Sequence, residues 1–473
     1  MKRHRVDLCV IGAGSGGLSI AAGASQMGAS VVLIERDRMG GDCLNVGCVP
    51  SKALIAAAGA AEAARGAGRF GIRLGPPEID FARVHGHVHG TIAAIAPHDS
   101  VERFEALGVT VIREHGRFTG PRTVAAGGHE IEARRFVIAT GSRPAAPPIP
   151  GLEDVPYLTN ETVFDRTVLP SPLIVIGGGP IGLELAQAHR RLGAEVTVLE
   201  MFTALGKDDP ELAEIVVARL RKEGVILREG VGVTRVAPAD DGIEVEIEDD
   251  GTTGTLAAAD LLVAAGRRPN IDDLGLEAAG IERDKAGLVV DDRLRTTNRR
   301  VYAAGDAAGK YQFTHVASYH AGIVIRNALF RLPAKIDDRA VPWVTYTDPE
   351  LAHVGMTEAV ARERVGDIRV LRFPFAENDR AWAERATDGL VKVVTSKKGA
   401  VLGASIVGAH AGELIQTWIL PVARAMHVKH VAGLIMPYPT LGEANKRAAG
   451  SFFTPTLFGP RMKRIVRLLA RLG

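Results

Sequence analysis

Two stretches of this chain repeat one pattern in register, and that repetition constrains the fold more than any other feature. Ile11–Glu35 reads IGAGSGGLSIAAGASQMGASVVLIE, and Ile176–Glu200 reads IGGGPIGLELAQAHRRLGAEVTVLE. Each opens on a short apolar strand, turns through G-x-G-x-x-G, runs a helix rich in Ala or Leu, and closes on a strand ending in Glu. That is the β-α-β pattern of a dinucleotide-binding unit. Gly12 and Gly177 permit the tight turn. Gly14 and Gly179 let the backbone approach a pyrophosphate at the helix N-terminus, where unpaired N–H groups and the helix dipole favour an anion. Gly17 and Gly182 let helix and strand pack closely. Glu35 and Glu200 each stand eighteen positions after the last glycine, placed to accept from a ribose 2′-hydroxyl. One such motif alone is a weak signal. Two, each with its strand, helix and acid, point to two dinucleotides, a flavin and a nicotinamide. After Glu200 come Met201, Phe202 and Thr203, with no cation to hold a 2′-phosphate before Lys207, so the second unit is expected to take NADH rather than NADPH.

At roughly 150 residues per domain, 473 residues suggest three domains. With 46% hydrophobic and 24% charged residues the chain is globular rather than disordered, collagen-like or coiled-coil. A net charge of +2 gives no global reason to expect nucleic acid as a partner. Three cysteines exclude a disulfide-stapled secreted scaffold, so a reducing compartment, the cytoplasm, is expected. The apolar run Val6–Ile11 is too short for a signal-peptide core. No uninterrupted apolar run reaches the ~18 residues of a membrane span, so no transmembrane helix is expected.

The segment Gly40–Lys52, GGDCLNVGCVPSK, holds two of the three cysteines. Pro50 is expected to open an Ala-rich helix from about Ser51. A helix N-terminus stabilises a thiolate, so Cys48 should have a lowered pKa and Cys43 can close a disulfide onto it. The alternative is that both are small apolar fillers. Zinc is disfavoured, because no further Cys or His pair stands at ligand spacing. Cys9, inside the first strand, reads as core. Further punctuation comes from ATGSRP (Ala139–Pro144), VAAGRRPN (Val263–Asn270) and VYAAGDAAG (Val301–Gly309, with Asp306 in its turn). The first two are expected to be sharp exits from a sheet.

GGDCLNVGCVPSK resembles the active-site motif of the class I pyridine nucleotide-disulfide oxidoreductases, which include dihydrolipoamide dehydrogenase and mercuric reductase. The resemblance runs over nearly the whole chain, through both fingerprints, the ATG and AAGD motifs, and YTDPELAHVGMTE (Tyr346–Glu358). It implies an α/β fold of two Rossmann-like dinucleotide-binding domains plus a C-terminal α+β dimerisation domain, working as a homodimer. Residues 1–155 would form the first part of the FAD-binding domain and 156–272 the NAD-binding domain. Residues 273–339 would return to the FAD-binding part, and 340–473 would form the interface domain. FAD would lie along Gly12, Gly14 and Gly17, with Glu35 on its adenosine ribose and Asp306 near the ribityl chain. Gly41, Lys52, Thr140 and Gly141 would complete that site. NAD(H) would use Gly177, Gly179, Gly182, Glu200 and Gly266. Cys48 would face the flavin, and Cys43 would be the outer thiol that attacks substrate. Lys52 and Glu184 match a family ion pair near the flavin and the nicotinamide. Electrons would run from NADH to FAD, to Cys43–Cys48, and on to a small disulfide, dithiol or lipoyl-bearing acceptor.

The chain departs from the family in Met436–Glu443, MPYPTLGE. Dihydrolipoamide dehydrogenases place an acid/base His before Pro-Thr, from the other subunit, with a Glu five residues later. Here Glu443 is present but the His position is Tyr438, and a phenol of pKa about 10 is a poor general base. Mercuric reductases also carry Tyr there, but add a C-terminal cysteine pair. No cysteine follows Cys48 here, and soft metals need thiolates. The alternatives are therefore a metal-ion or small-oxidant reductase and, in another class, a flavin redox sensor or membrane-docked interaction protein. No resident metal site is expected: His85 and His89 share a helical face, with no carboxylate to complete a ligand set. His427 and His430, just upstream of Tyr438, read as surface or capping residues.

The tail Arg461–Leu472, RMKRIVRLLARL, carries five basic and no acidic residues beside an apolar stripe. It is expected to dock that stripe on its own domain, with Phe452, Phe453 and Phe458 helping. The competing partner is an anionic membrane, on the inner face, as a peripheral contact.

Overall fold

The computed structural model describes residues 1–472. The first repeat builds the centre of a seven-stranded sheet. Lys2–Ile11 pairs in parallel with Val31–Ile34 on one side and His129–Ile138 on the other, and Val109–Ile112 extends the parallel array. The ten-residue strand His129–Ile138 carries two partners along one edge. Its first half takes Thr123–Ala126 antiparallel, and Phe136–Ile138 takes Val301–Ala303 in parallel. The chain thus returns to the first sheet after the second unit. Residues 8–11 and Val31–Ile34 run unbroken and apolar because both faces are covered, one by the helices Ser15–Gln26 and Thr314–Ala328, the other by the strands Gly116–Gly120 and Thr123–Ala126 with residues 271–288.

The second repeat forms a four-stranded parallel sheet in the order Ile226–Glu229, Val196–Glu200, Leu173–Ile176, Asp260–Val263. In both units the first glycine turns with positive φ, +104° at Gly12 and +113° at Gly177. A side chain at either would run into the carbonyl of the adjacent strand end, Ala139 or Ala264. Gly17 and Gly182 lie so close to the carbonyls of Gly12 and Gly177 that no Cβ fits.

The two Gly-x-Arg-Pro exits do more than leave their sheets: Ser142–Pro144 pairs antiparallel with Arg267–Pro269, forming a two-stranded joint between the nucleotide-binding units. The Thr140 hydroxyl donates to the Asn270 carbonyl (2.6 Å), and the Asn270 amide donates back to Thr140 O (3.1 Å).

The helix Cys48–Gly66 begins three residues before the expected start. Pro50 still fits, because the first turn has no intrahelical use for its missing N–H. The longer stretch Gly41–Phe70 is apolar enough by composition to pass for a membrane span, although no uninterrupted apolar run reveals it. Here it is a packing helix. Ala53, Leu54 and Ala58 are buried in one cluster with Leu183, Ala186 and Val88, against the helices Pro180–Arg191 and Phe81–Ile95. Small side chains allow that close approach.

The C-terminal part is a five-stranded antiparallel sheet in the order Pro342–Thr345, Glu350–Gly355, Val401–Gly408, Leu390–Ser396, Ile368–Pro374, backed by helices around Trp418. Buried charge fastens it to the second unit. Lys392 Nζ lies 2.8 Å from carboxylates of Asp209, Glu211 and Glu358, and Arg191 bridges Glu223 (2.6 Å) and Asp348 (2.8 Å). Removing one partner from such a cluster typically costs 3–5 kcal/mol, because the others stay buried and uncompensated.

The tail does not follow expectation. Phe452 is buried and Phe453 half-buried, but Phe458 is exposed. The helix Pro460–Leu469 lies in solvent with Ile465, Val466, Leu468 and Leu469 uncovered, so its apolar stripe is not docked on its own domain. Gly459, in extended conformation, separates it from the preceding short helix Thr454–Leu457.

Candidate active site

Cys43 sits in a short helix, Gly41–Asn45, and Cys48 is the first residue of the nineteen-residue helix Cys48–Gly66. The first residue of the Cys43 helix is pressed against the first glycine-rich turn. A Cβ on Gly41, whose φ is +59°, would lie 2.7 Å from Gly14 Cα. The redox segment is therefore built onto the first dinucleotide fingerprint.

The two thiols are driven apart in acidity. The Cys43 thiol hydrogen-bonds to Cys48, and this contact does most to lower the Cys48 pKa to about 6. Thr314 and the charge of Lys52 add to it, while burial and the charge of Asp42 oppose it. Cys43, holding its proton for its neighbour and partly buried, is pushed well above the ordinary thiol range. Thr314 Oγ1 lies 3.5 Å from Cys48 Sγ, from the first residue of the helix Thr314–Ala328. Cys9 is fully buried, and burial raises its pKa, in keeping with a core role.

Lys52, one turn along from Cys48, places Nζ 2.7 Å from Glu184 Oε2 on the facing helix. Glu184 is buried, and its other oxygen accepts the Tyr346 N–H at 2.9 Å. The Tyr346 ring lies under the ammonium, 4.2 Å from Nζ to the ring centre, a cation–π contact. One pair thus ties together all three parts of the chain.

A second network runs behind the cysteines. Arg267 reaches Asp42 Oδ1 at 2.8 Å, Ser142 Oγ at 2.8 Å and Asn160 Oδ1 at 3.3 Å. Ser142 donates to Asp306 Oδ2 at 2.5 Å. Asp306 is half-buried and its pKa raised, desolvation being the main cause. Arg267 therefore neutralises the carboxylate beside Cys43. Arg267→Met should destabilise the fold by roughly 2 kcal/mol and raise the Cys48 pKa, because Asp42 then acts unopposed. Adding Asp42→Asn should recover much of both; thermal unfolding and pH-dependent alkylation measure them.

Residues expected at the cofactors occupy two kinds of position. Glu35 and Glu200 each accept from a backbone N–H of their own glycine turn, Ala13 and Gly178, both at 2.6 Å. Gly141 (φ +68°) and Gly266 (φ +129°) flank the paired exits. The residues fit dinucleotides. A Cβ on Gly179 would meet nothing within 4 Å, and one on Gly14 only Gly41 Cα at 3.9 Å. The space before both helix N-termini is therefore open to a pyrophosphate. Asp306 receives one side-chain donor and keeps acceptor capacity for sugar-alcohol hydroxyls.

Tyr438 and Glu443 stand apart. No hydrogen bond or ion pair links either to Cys43 or Cys48 among the described residues. Tyr438 is 67% exposed. Its hydroxyl donates to Asp379 Oδ2 at 2.7 Å, and that bond pushes its pKa up. Glu443 opens the helix Glu443–Ser451 and pairs with Arg447 at 2.9 Å. His85 and His89 do share a face, ring centres 4.2 Å apart, and His89 Nε2 lies 3.0 Å from the Phe164 carbonyl. His427 Nδ1 accepts the Lys429 N–H at 3.0 Å, a local cap. Among the described residues no group of three or more His, Cys, Asp or Glu could hold a metal ion.

Sequence reading missed Thr314, Asp42, Arg267, Ser142 and Tyr346. Asp42 lies inside the redox motif and Arg267 inside the second exit, so both were visible, but not their pairing.

The fold and the thiol pair define a flavin- and nicotinamide-dependent disulfide reductase. The pyridine nucleotide-disulphide oxidoreductase family matches residues 6–321, and its dimerisation domain matches 341–449. The chain belongs to that family. It is an FAD-dependent disulfide oxidoreductase that uses a pyridine nucleotide, and its dimerisation domain makes it a homodimer. It is 36% identical over 449 residues to a mercuric reductase of Bacillus cereus, covering 94% of this chain and 71% of that protein. It is 38% identical over 458 residues to a dihydrolipoyl dehydrogenase of Haloferax volcanii, covering 94% and 95%. Among solved structures it superposes on the Cu(II) complex of the HOCl-induced flavoprotein disulfide reductase RclA from Escherichia coli. The TM-score there is 0.84, with 28% identity over 93% of this chain and 98% of that one.

Proposed function

We propose that the protein carries electrons from NADH through FAD to the Cys43/Cys48 pair and on to a small disulfide of the lipoamide kind. The observation that carries this reading is Cys48 at the head of a long helix, beside Lys52 and Thr314, with Cys43 hydrogen-bonded against it. FAD, when bound, relays two electrons from the nicotinamide to the protein disulfide. Gly12, Gly14, Gly17, Gly41, Thr140, Gly141, Glu35 and Asp306 would hold it. Gly177, Gly179, Gly182, Glu200 and Gly266 would hold the nicotinamide nucleotide.

In the exchange, the Cys43 sulfur attacks one acceptor sulfur, the acceptor S–S bond breaks, and the leaving sulfur takes the proton that Cys43 gives up. Cys48, already a thiolate at neutral pH, attacks Cys43 and releases the second. Two electrons from NADH reopen the Cys43–Cys48 bond. The balance is NADH plus a proton plus a disulfide, giving NAD+ and two thiols. The Lys52–Glu184 pair, steadied by Tyr346, holds a fixed positive charge beside the Cys48 thiolate. Tyr438 and Glu443 would reach this site across the dimer, the phenol as a hydrogen-bond donor to the acceptor rather than as an acid/base.

A second reading is reduction of a metal ion. Tyr438 in place of His favours it, as do relatives named for mercury and a structure named for Cu(II). The chain lacks any cysteine beyond Cys48 to deliver a soft ion. Steady-state NADH oxidation by the FAD-loaded protein, with lipoamide, Hg(II) or Cu(II) as acceptor, separates them. Turnover with lipoamide supports the first, and turnover with a metal ion alone supports the second. NADH should exceed NADPH in kcat/KM by about tenfold or more, because Glu200 repels a 2′-phosphate and no cation flanks it. Parity of the two nucleotides would sink that assignment.

A further inference from the structure

The tail helix Pro460–Leu469 lies beyond the matched dimerisation domain and has no cover in the chain. Its side chains segregate apart from Arg461, which falls within the apolar arc at the start of the helix. At 3.6 residues per turn, Met462, Ile465, Val466, Leu468, Leu469 and Leu472 fall within an arc of about 160°, while Lys463, Arg464, Arg467 and Arg471 fall within an opposite arc of about 100°. Val466 is 57% exposed, Leu468 61% and Leu469 58%. Leu457 and Phe458, also exposed, extend the apolar surface toward the body of the domain. No acidic residue interrupts the segment 460–472.

We propose that residues 460–472 dock the homodimer on an anionic phospholipid surface, the apolar arc entering the acyl boundary and the basic arc lying among headgroups. Charge selects this occupant. An apolar groove on another protein satisfies one arc and leaves four cations facing solvent, whereas an anionic bilayer satisfies both arcs at once. Each Lys or Arg near such a surface adds roughly fivefold in binding, and long basic side chains reach headgroups while their stems stay in the apolar layer. One helix of this length binds weakly. Two per dimer reinforce each other, because the second binds from a tethered position. NADH oxidation would then take place at the membrane surface.

The test is co-sedimentation of the full-length, FAD-loaded protein with vesicles of phosphatidylcholine and phosphatidylglycerol in equal parts, against pure phosphatidylcholine. Binding to the anionic vesicles should be at least ~10-fold tighter and should fall as salt rises. It should disappear in a chain ending at Gly459 and in Leu468→Glu/Leu469→Glu, which keeps every basic residue. Disulfide turnover in solution should be unchanged in both variants. Failure to sediment with anionic vesicles, or undiminished sedimentation of the truncated chain, overturns the proposal. So does dissociation of the dimer on truncation, which would place the tail on the second copy.

Discussion

Cys43→Ala should leave a protein that still oxidises NADH into its flavin once, yet turns over no disulfide. The expected loss is at least ~10³-fold in kcat, because the exchanging sulfur has no substitute. The same variant should disturb Cys48. The Cys43 thiol is the main group holding Cys48 in its thiolate form, so its removal raises the Cys48 pKa from about 6 toward the ordinary thiol value. The sign is definite. In the reduced wild type, iodoacetamide reactivity should persist down to neutral pH and fade as pH falls through about 6; in Cys43→Ala the fall should begin at higher pH. Buried Cys9 does not confuse the readout. Cys43→Ser retains a hydroxyl donor, so turnover should still be lost while the pKa moves less. Retained disulfide turnover in either variant would remove Cys43 from the exchange step.

What could be read in the sequence follows physical locality. Gly12 and Gly177 were legible because only glycine fits a positive φ turned against a neighbouring carbonyl, and that requirement is written at one position. The start of the redox helix was misplaced by three residues for a local reason: Pro50 is compatible with any place in the first turn, so it bounds the start without fixing it. The Arg267–Asp42 bond joins residues 225 apart, and no periodicity announces such a partner. Ser142–Pro144 and Arg267–Pro269 were each recognised as exits, but their pairing depends on how two sheets face each other. The tail shows the limit most clearly. Its amphipathic pattern states that one face is apolar and says nothing of which surface covers it, so docking on its own domain was inferred and solvent was found.

Tyr438→His tests the departure that separates this chain from its dihydrolipoyl dehydrogenase relatives. The Tyr438 phenol donates to Asp379, whose charge holds the proton on, and the Glu443 charge raises the pKa a little further. At neutral pH such a group donates a hydrogen bond but takes no proton. An imidazole has an ordinary pKa near 6.5, and the same two carboxylates would favour its protonated form, keeping it basic enough to exchange a proton with a thiol. A general acid–base group contributes ~10²-fold or more, so lipoamide-linked NADH oxidation should rise by about that factor in Tyr438→His. The gain should fall away at low pH, where the imidazole stays charged. Asp379→Asn in the wild-type background should give no such gain, since it frees the phenol without making it a base. For either residue to act, it must reach the cysteines across the dimer, so the gain should require dimer. Brisk wild-type turnover with no gain in Tyr438→His would mean that solvent handles the proton. Slow wild-type turnover with full rescue would mean that the cofactor relay and thiol pair are intact, and that the acceptor this chain serves needs no base at position 438.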